Sequence, residues 1–514
     1  MLRFIFVILL IPTLTNVKAQ LLQTARFEVE KKFYDNNFMV VPADEKGIML
    51  LRESDEKAEN AKGNVWQIIS LDNNLNEQWD TLVVVDYKYL VLGYDYSDGY
   101  LYLLFGEEFV GRKNVFKIVR IAKEDGSVEK FESITELEMQ PTHLIINDEQ
   151  LVLGGEINSR LTFVAFNYKD DKVMVIPGFF NKRSIILDFN YNEEHQIYNI
   201  LLAEKSTSNR NVLAIKIFNK DGDVFIDEKI EFDEEIRPLN GKVQISKDLR
   251  IYYSGSYGGY NSYYSQGMYF GYLEGGKKPK TDFYTLTEFE NIFDFMTVKR
   301  AKKIRMKIEK GIERKKPFEF KTQLWVQDFY EKEDFFVLLS DIYRPEYEEK
   351  QDVRYSPLTD SGNDTNQKYV HYTSGITNAD GSDRIEYKEA ILMLFNNEGK
   401  LLADMSLPTP NAETLSLDKL SSSYVSLNKS SIVYKDENSI RYKLYDKDFN
   451  TVSDSLQNIS VFVEEDETIK MTDNEGRVEK WYDNHFFVWG YHRISNQFGN
   501  KRNVFYINKI TIED

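Results

Sequence analysis

Cysteine is absent from all 514 residues. That absence excludes disulfides, a lipidated N-terminal cysteine, thiolate metal sites and a cysteine nucleophile. Histidine is scarce: His143, His195, His371, His485 and His492 are scattered, without helical or metal-ligand spacing. There is no G-x-S-x-G elbow and no phosphate-cradling glycine loop. Asn219-Lys220-Asp221-Gly222-Asp223 opens like a calcium loop but lacks the ligand series and the distal Glu, so it reads as a turn. The motifs therefore give no cofactor, no metal and no catalytic residue. Positive charge is in deficit, with 65 Lys and Arg against 83 Asp and Glu and a net charge of −18. General nucleic-acid binding needs cations for phosphate contacts, so the balance argues against it. Long apolar runs are also missing, apart from residues 4–14. That run follows Arg3 and precedes Val17-Lys18-Ala19, the layout of a secretory signal peptide over residues 1–19. It is too short to span a bilayer comfortably. The expectation is export, to a periplasmic or envelope-associated location, with no lipid anchor and no transmembrane span after cleavage.

What the chain does contain is a repeat. A strand runs into a short polar turn and a more apolar strand leaves it, eight times. The second strands begin near Ile48, Tyr100, Leu151, Ile197, Leu249, Phe335, Ser431 and His485. Five of the seven steps are near about 50 residues, the length of a four-stranded propeller blade with its loops. The two longer steps each contain an insertion. A third strand follows each hairpin and ends in an Asp-, Asn- or Gly-rich turn, as at Asn219-Lys220-Asp221-Gly222 and Asn396-Asn397-Glu398-Gly399. A fourth, more polar strand comes next. The last repeat stops at its third strand, residues 504–510, while an orphan strand, residues 26–31, precedes the first. Pairing the two closes a circle and hides two bare sheet edges.

With that closure the chain resembles the secreted bacterial β-propellers. The resemblance covers nearly all of the expected mature chain and rests on repeat geometry, with no WD series and no kelch glycine pair. It implies an all-β fold, a single propeller over residues 20–514 with eight blades. Seven blades with one irregular sheet, or two β-sandwich domains, are the competing arrangements.

Two segments depart from the repeat. Residues 288–316 form a basic helical insertion. Between Lys299 and Lys316 lie ten Lys or Arg and two Glu, and Ala301, Ile304, Ile308 and Ile312 recur on one helical face. Lys299, Arg300, Lys302, Lys303, Arg305 and Lys307 are candidates to contact an acidic protein or an anionic membrane surface. A helix packed by its Ile stripe on the propeller is the plainer alternative. Residues 345–387, rich in Asp, Ser, Thr, Asn and Gly, form a polar loop insertion.

A Tyr/Gly run straddles the fifth repeat. Tyr257, Tyr260, Tyr263 and Tyr264 are expected in a loop, with no core position to fill, and are partner-binding candidates for a protein or a sugar ring. Asp95, Asp188, Asp328 and Glu479 lie near inner strands. If they converge on a central funnel they are the acid and base candidates of a carbohydrate-active enzyme. The balance of these features points to a non-catalytic protein-binding or scaffold subunit of a cell-envelope assembly. A carbohydrate-active or glycan-binding protein is the alternative.

Overall fold

The computed structural model describes residues 21–513, except 33–34, 55–61, 108–113, 182–183, 207–209, 261, 347–383, 411, 415–416, 463–465, 472–475 and 497. The expected leader and most of the polar insertion therefore lie outside the described residues.

The strands assemble into eight antiparallel sheets, in chain order: residues 39–85, 89–135, 140–181, 185–231, 236–285, 323–414, 421–458, and 466–512 with 21–30. We call these blades 1 to 8. The eight-bladed count holds. Within each blade the chain moves outward, strand by strand, and burial follows. Second and third strands are apolar on both faces, as in Ile197–Lys205 and Asn211–Asn219. Outermost strands alternate, as in Thr451–Asn458, because one face meets solvent. Two strand starts shift slightly. Leu249 sits in the turn at φ 63°, so its strand opens at Ile251, and the blade 7 strand opens at Lys429.

Ring closure is visible in the cores. Each junction between neighbouring blades holds one apolar cluster. Trp66 of blade 1 meets Phe105 of blade 2 edge-on at 5.5 Å, and Tyr252 of blade 5 lies 4.1 Å from Phe336 of blade 6. The eighth cluster joins blade 8 to blade 1: Trp481, Phe487, Trp489 and Phe505 pack on Phe38, Val40 and Leu50. This explains the aromatic content, since sheet-on-sheet contacts are filled by large side chains.

The N-terminal strand Leu21–Glu30 is the outer strand of blade 8, paired with Lys501–Ile512 and longer than the sequence pattern suggested. It is held by more than its ladder. Arg502 bonds Glu28 at 2.7 Å, Arg26 bonds Asn508 at 2.8 Å, and the Gln23 amide donates to the Asn458 carbonyl of blade 7 at 2.7 Å.

Four of the turns after third strands share one device. Asp72, Asn219, Asn396 and Asp446 each accept two backbone amides from the residues two and four positions on. A short side-chain carbonyl or carboxylate at that position makes the turn's hydrogen bonds locally, which is why these residues recur there. Gly399 follows at φ 87°, in the left-handed region that glycine adopts at no steric cost.

Candidate functional site

Antiparallel blades place their turns on alternate faces. First-to-second and third-to-fourth turns lie on one face. Second-to-third turns and blade-to-blade connections lie on the other, which we call the insertion face. Three features of the sequence leave the ring there. The helical insertion connects blades 5 and 6. The Tyr hairpin joins Ile251–Gly259 to Ser265–Leu273 in blade 5. The strands Phe335–Glu346 and Arg384–Asn396, which flank the polar insertion, are the second and third of blade 6.

The helical insertion is shorter as a helix than its apolar pattern implied. Phe289, Ile292 and Phe293 are buried, but in a 3-10 turn and bends (286–296); the helix α1 spans Val298–Glu313. Ile308 is buried, and Ala301 and Ile304 pack against the blade 5–6 core. Ile312 is 46% exposed, so the stripe ends one turn early. Two anchors fix the segment. Asp404, on the outer strand of blade 6, accepts the amides of Glu290 and Asn291 at 2.9 and 2.7 Å. Arg305 donates to the carbonyls of Thr287 and Glu290 at 3.0 and 2.6 Å and covers the Phe293 ring. Arg305 is thus committed to holding the helix and is not a free contact residue.

The other cations point outward. Lys299, Arg300, Lys302, Lys303, Lys307, Lys310 and Arg314 are exposed, and among the described residues none has an ion-pair partner. At 100° per residue, Lys299, Arg300, Lys303, Lys307, Lys310 and Arg314 fall within roughly 100° of the helix circumference. Glu309 and Glu313 lie outside that arc. Like charges at this spacing destabilise a helix, so the row is held by the anchors beneath it.

The Tyr hairpin departs from its expectation at one residue. Tyr257 lies in a strand, is 6% exposed and packs edge-on against Phe283. Its ring had a core position to fill, because the strand continues through Gly259. Tyr260 is exposed, with the Lys205 ammonium 4.3 Å from its ring centre. Tyr263 lies under Arg237 at 4.7 Å, and Tyr264 is half-buried.

The ring encloses a central cavity of about 710 Å³ walled by inner strands of blades 4 to 8. Asp188, Asp328 and Glu479 all line it; Asp95 does not. Each of these three carboxylates is held by a cation: Asp188 by Lys242 at 3.0 Å, Asp328 by Lys419 at 2.7 Å, Glu479 by Arg477 at 2.8 Å. Glu479 also accepts from the Trp489 indole at 3.1 Å.

Two of the four acids fasten one blade to the next. Asp188 accepts the Val243 amide of blade 5 at 3.1 Å, and Asp95 accepts the Ile146 amide of blade 3 at 3.2 Å. Burial pushes the Asp95 carboxyl up to about 7, with nearby Glu193 adding to the effect and the backbone bonds opposing it. Asn240 makes a like contact from blade 5 to blade 6, and Ser422 from blade 7 to blade 8.

His143 of blade 3, unremarkable in the sequence, is brought within electrostatic reach of Asp188 and Lys242. Burial takes its imidazole down to about 4, despite Asp188, so it is neutral at pH 7. Blades 2, 3, 4, 6 and 8 each carry a bulge in the innermost strand, and His143, Asp188 and Asp328 directly follow theirs. Periodicity of apolar residues carries no trace of such bulges.

Among the described residues, no group of three or more His, Asp or Glu is placed to hold a metal, and no helix is long and apolar enough to cross a membrane.

No family model and no curated protein matches this chain. Solved structures with a similar course include the polysaccharide lyase Uly1, at 10% identity over 82% of this chain and 90% of that one, TM-score 0.39. Prolyl oligopeptidase B from Galerina marginata is 8% identical, TM-score 0.40; the alignment covers 90% of this chain but 56% of that one. The β-propeller domain of the Trilobed protease from Pyrococcus furiosus is 9% identical over 81% of this chain and 97% of that one, TM-score 0.34. At such scores these likenesses carry no argument about activity. The propeller assignment rests on the eight sheets and their closure.

Proposed function

We propose that this propeller is a non-catalytic, exported binding subunit of a cell-envelope assembly, which docks an acidic protein partner through the insertion face over blades 5 and 6. The supporting observation is the row of unpaired cations on α1. Arg300, Lys303, Lys307, Lys310 and Arg314 repeat at steps of three and four along about 21 Å of a rigidly anchored helix. The helix spends most of its apolar stripe, Ala301, Ile304 and Ile308, on the propeller, and the exposed Val298, Met306 and Ile312 do not form a continuous face to insert into a bilayer. Exposed Met306 beside the row and Tyr260 on the adjacent hairpin supply apolar contact of the kind protein interfaces use. The test is affinity purification from envelope extracts at low and high salt, comparing wild type with Lys299, Lys303, Lys307 and Lys310 all changed to Glu. An acidic partner captured by wild type at low salt and lost by the variant supports the reading. Equal capture by both overturns it. Anionic liposomes in place of the extract test the membrane directly.

The second reading, a glycan-binding or carbohydrate-active site, is favoured by the volume of the central cavity. Against hydrolysis stands the pairing of Asp188, Asp328 and Glu479 with cations, which leaves exposed Asp483 as the one lining acid without an ion pair among the described residues. A general acid has to hold a proton near neutral pH, and a neighbouring ammonium or guanidinium favours the ionised form instead.

A further inference from the structure

We propose that the part of the central cavity flanked by Lys332 and Lys480 is a binding site for the carboxylate or phosphate group of a small ligand. The inference stands on the cavity wall and is independent of the docking face. Four lysines line the wall. Lys242 and Lys419 are neutralised by Asp188 and Asp328. Lys332 and Lys480 have no ion-pair partner among the described residues, and each lies within the other's field. The Lys480 ammonium is the more unusual. It is buried without a hydrogen-bond partner, resting 4.8 Å from the Tyr424 ring centre and 5.1 Å from that of Phe486. Two unneutralised ammonium groups beside one cavity destabilise the fold, and an incoming anion relieves that cost.

The surroundings are polar enough to complete the site. Tyr424 and Ser423 of blade 7 line the wall between the two lysines, and the Tyr330 hydroxyl of blade 6 bonds Ser423. Asp483, on the turn of blade 8, is the acid that faces Lys480, but it is exposed and makes no ion pair with it. The volume suits a ligand of one or two rings. The Lys480 amine rests on two aromatic rings, and rotation about its flexible stem carries it to a ligand. Burial first, then Lys332, brings this amine down to about 8 against the pull of Asp483. An anion at contact distance raises it again. Binding of glucuronate, which stays ionised across this range, therefore takes up part of a proton at pH 8 and less at pH 6.5, whereas phosphate adds its own titration near neutral pH.

The experiment is titration calorimetry of the whole chain with inorganic phosphate and with glucuronate, each in two buffers of different ionisation heat, with glucose as the neutral control. The expected result is binding of at least one anion, proton uptake at pH 8, and affinity lowered roughly tenfold or more in Lys480→Met and in Lys332→Gln. Phosphate binding without glucuronate identifies a phosphoryl ligand, and the converse a carboxylate. Lys332 is half-exposed at a strand end, so its variant keeps the test open should Lys480→Met fail to fold. Absence of binding by both anions, equal binding of glucose, or undiminished binding by folded variants overturns the proposal.

Discussion

Asp188 accepts the backbone amide of Val243 at 3.1 Å and so ties the inner strand of blade 4 to that of blade 5. It also takes the Lys242 ammonium and the Asn190 amide. Removing the carboxylate leaves a buried amide and a lysine without their acceptor. Asp188→Ala is therefore expected to cost about 2–4 kcal/mol of stability, and Asp188→Asn less. Urea unfolding measures this. A stable Ala variant, or glycan turnover that Asp188→Asn abolishes, would move this residue from fastening to catalysis.

Asp341 sits fully buried in blade 6 and accepts the Ser421 hydroxyl at 2.7 Å and the Leu420 amide at 3.3 Å from the blade 7 side. Burial takes its carboxyl up to about 7 from a reference of 3.8. The folded state then keeps its proton between these values while the unfolded state loses it. Asp341 thus lowers stability progressively as pH rises from about 4 to about 7, and by a constant amount above that. Asp341→Asn imitates the protonated form. The melting-temperature difference, variant minus wild type, should climb across that window and level off above it. A difference that is flat from pH 4 to 8 would show a carboxyl of ordinary acidity.

Arg305 and Lys303 lie two residues apart on α1 and should behave oppositely. Arg305→Ala removes two carbonyl contacts and is expected to cost about 1–3 kcal/mol. Lys303→Glu should leave stability within about 0.5 kcal/mol while weakening capture of an acidic partner. Thermal melts and pull-downs on both variants separate anchor from contact.

Deleting residues 21–30 strips the outer strand from blade 8 and bares the edge of Lys501–Ile512. The truncated protein is expected to melt well below wild type and to associate through that edge. An unchanged melting temperature and a monomeric elution profile would mean the ring does not depend on its closing strand.

The eight-fold repeat was legible because second and third strands are buried on both faces and so read as apolar runs, while Asp, Asn and Gly mark the turns. The missing fourth strand was legible by counting. The position of Tyr257 was not, because a Gly-rich strand such as Ile251–Gly259 has the composition of a loop. Arg305 looked like one cation among ten, since its partners are backbone carbonyls that composition does not display. Asp95 and Asp188 looked like acid candidates because a carboxylate that accepts a neighbouring blade's amide is indistinguishable, in a single chain, from one that faces a substrate. Lys480 carried no signal: its character comes from Tyr424, a different blade, and Lys332, a third.

The bond between Arg502 and Glu28 joins residues 474 positions apart. Loop-closure entropy grows only with the logarithm of that separation, so the contact is thermodynamically inexpensive. Its cost is in time. All seven other blades lie between the strand Leu21–Glu30 and its partner Lys501–Ile512, so those blades can stack before the eighth finds its edge. Until then blades 1 and 8 each present an unsealed side, and completing blade 8 takes a single long-range capture. Any factor that shields Leu21–Glu30 during that interval would set the yield of native rings without touching their stability.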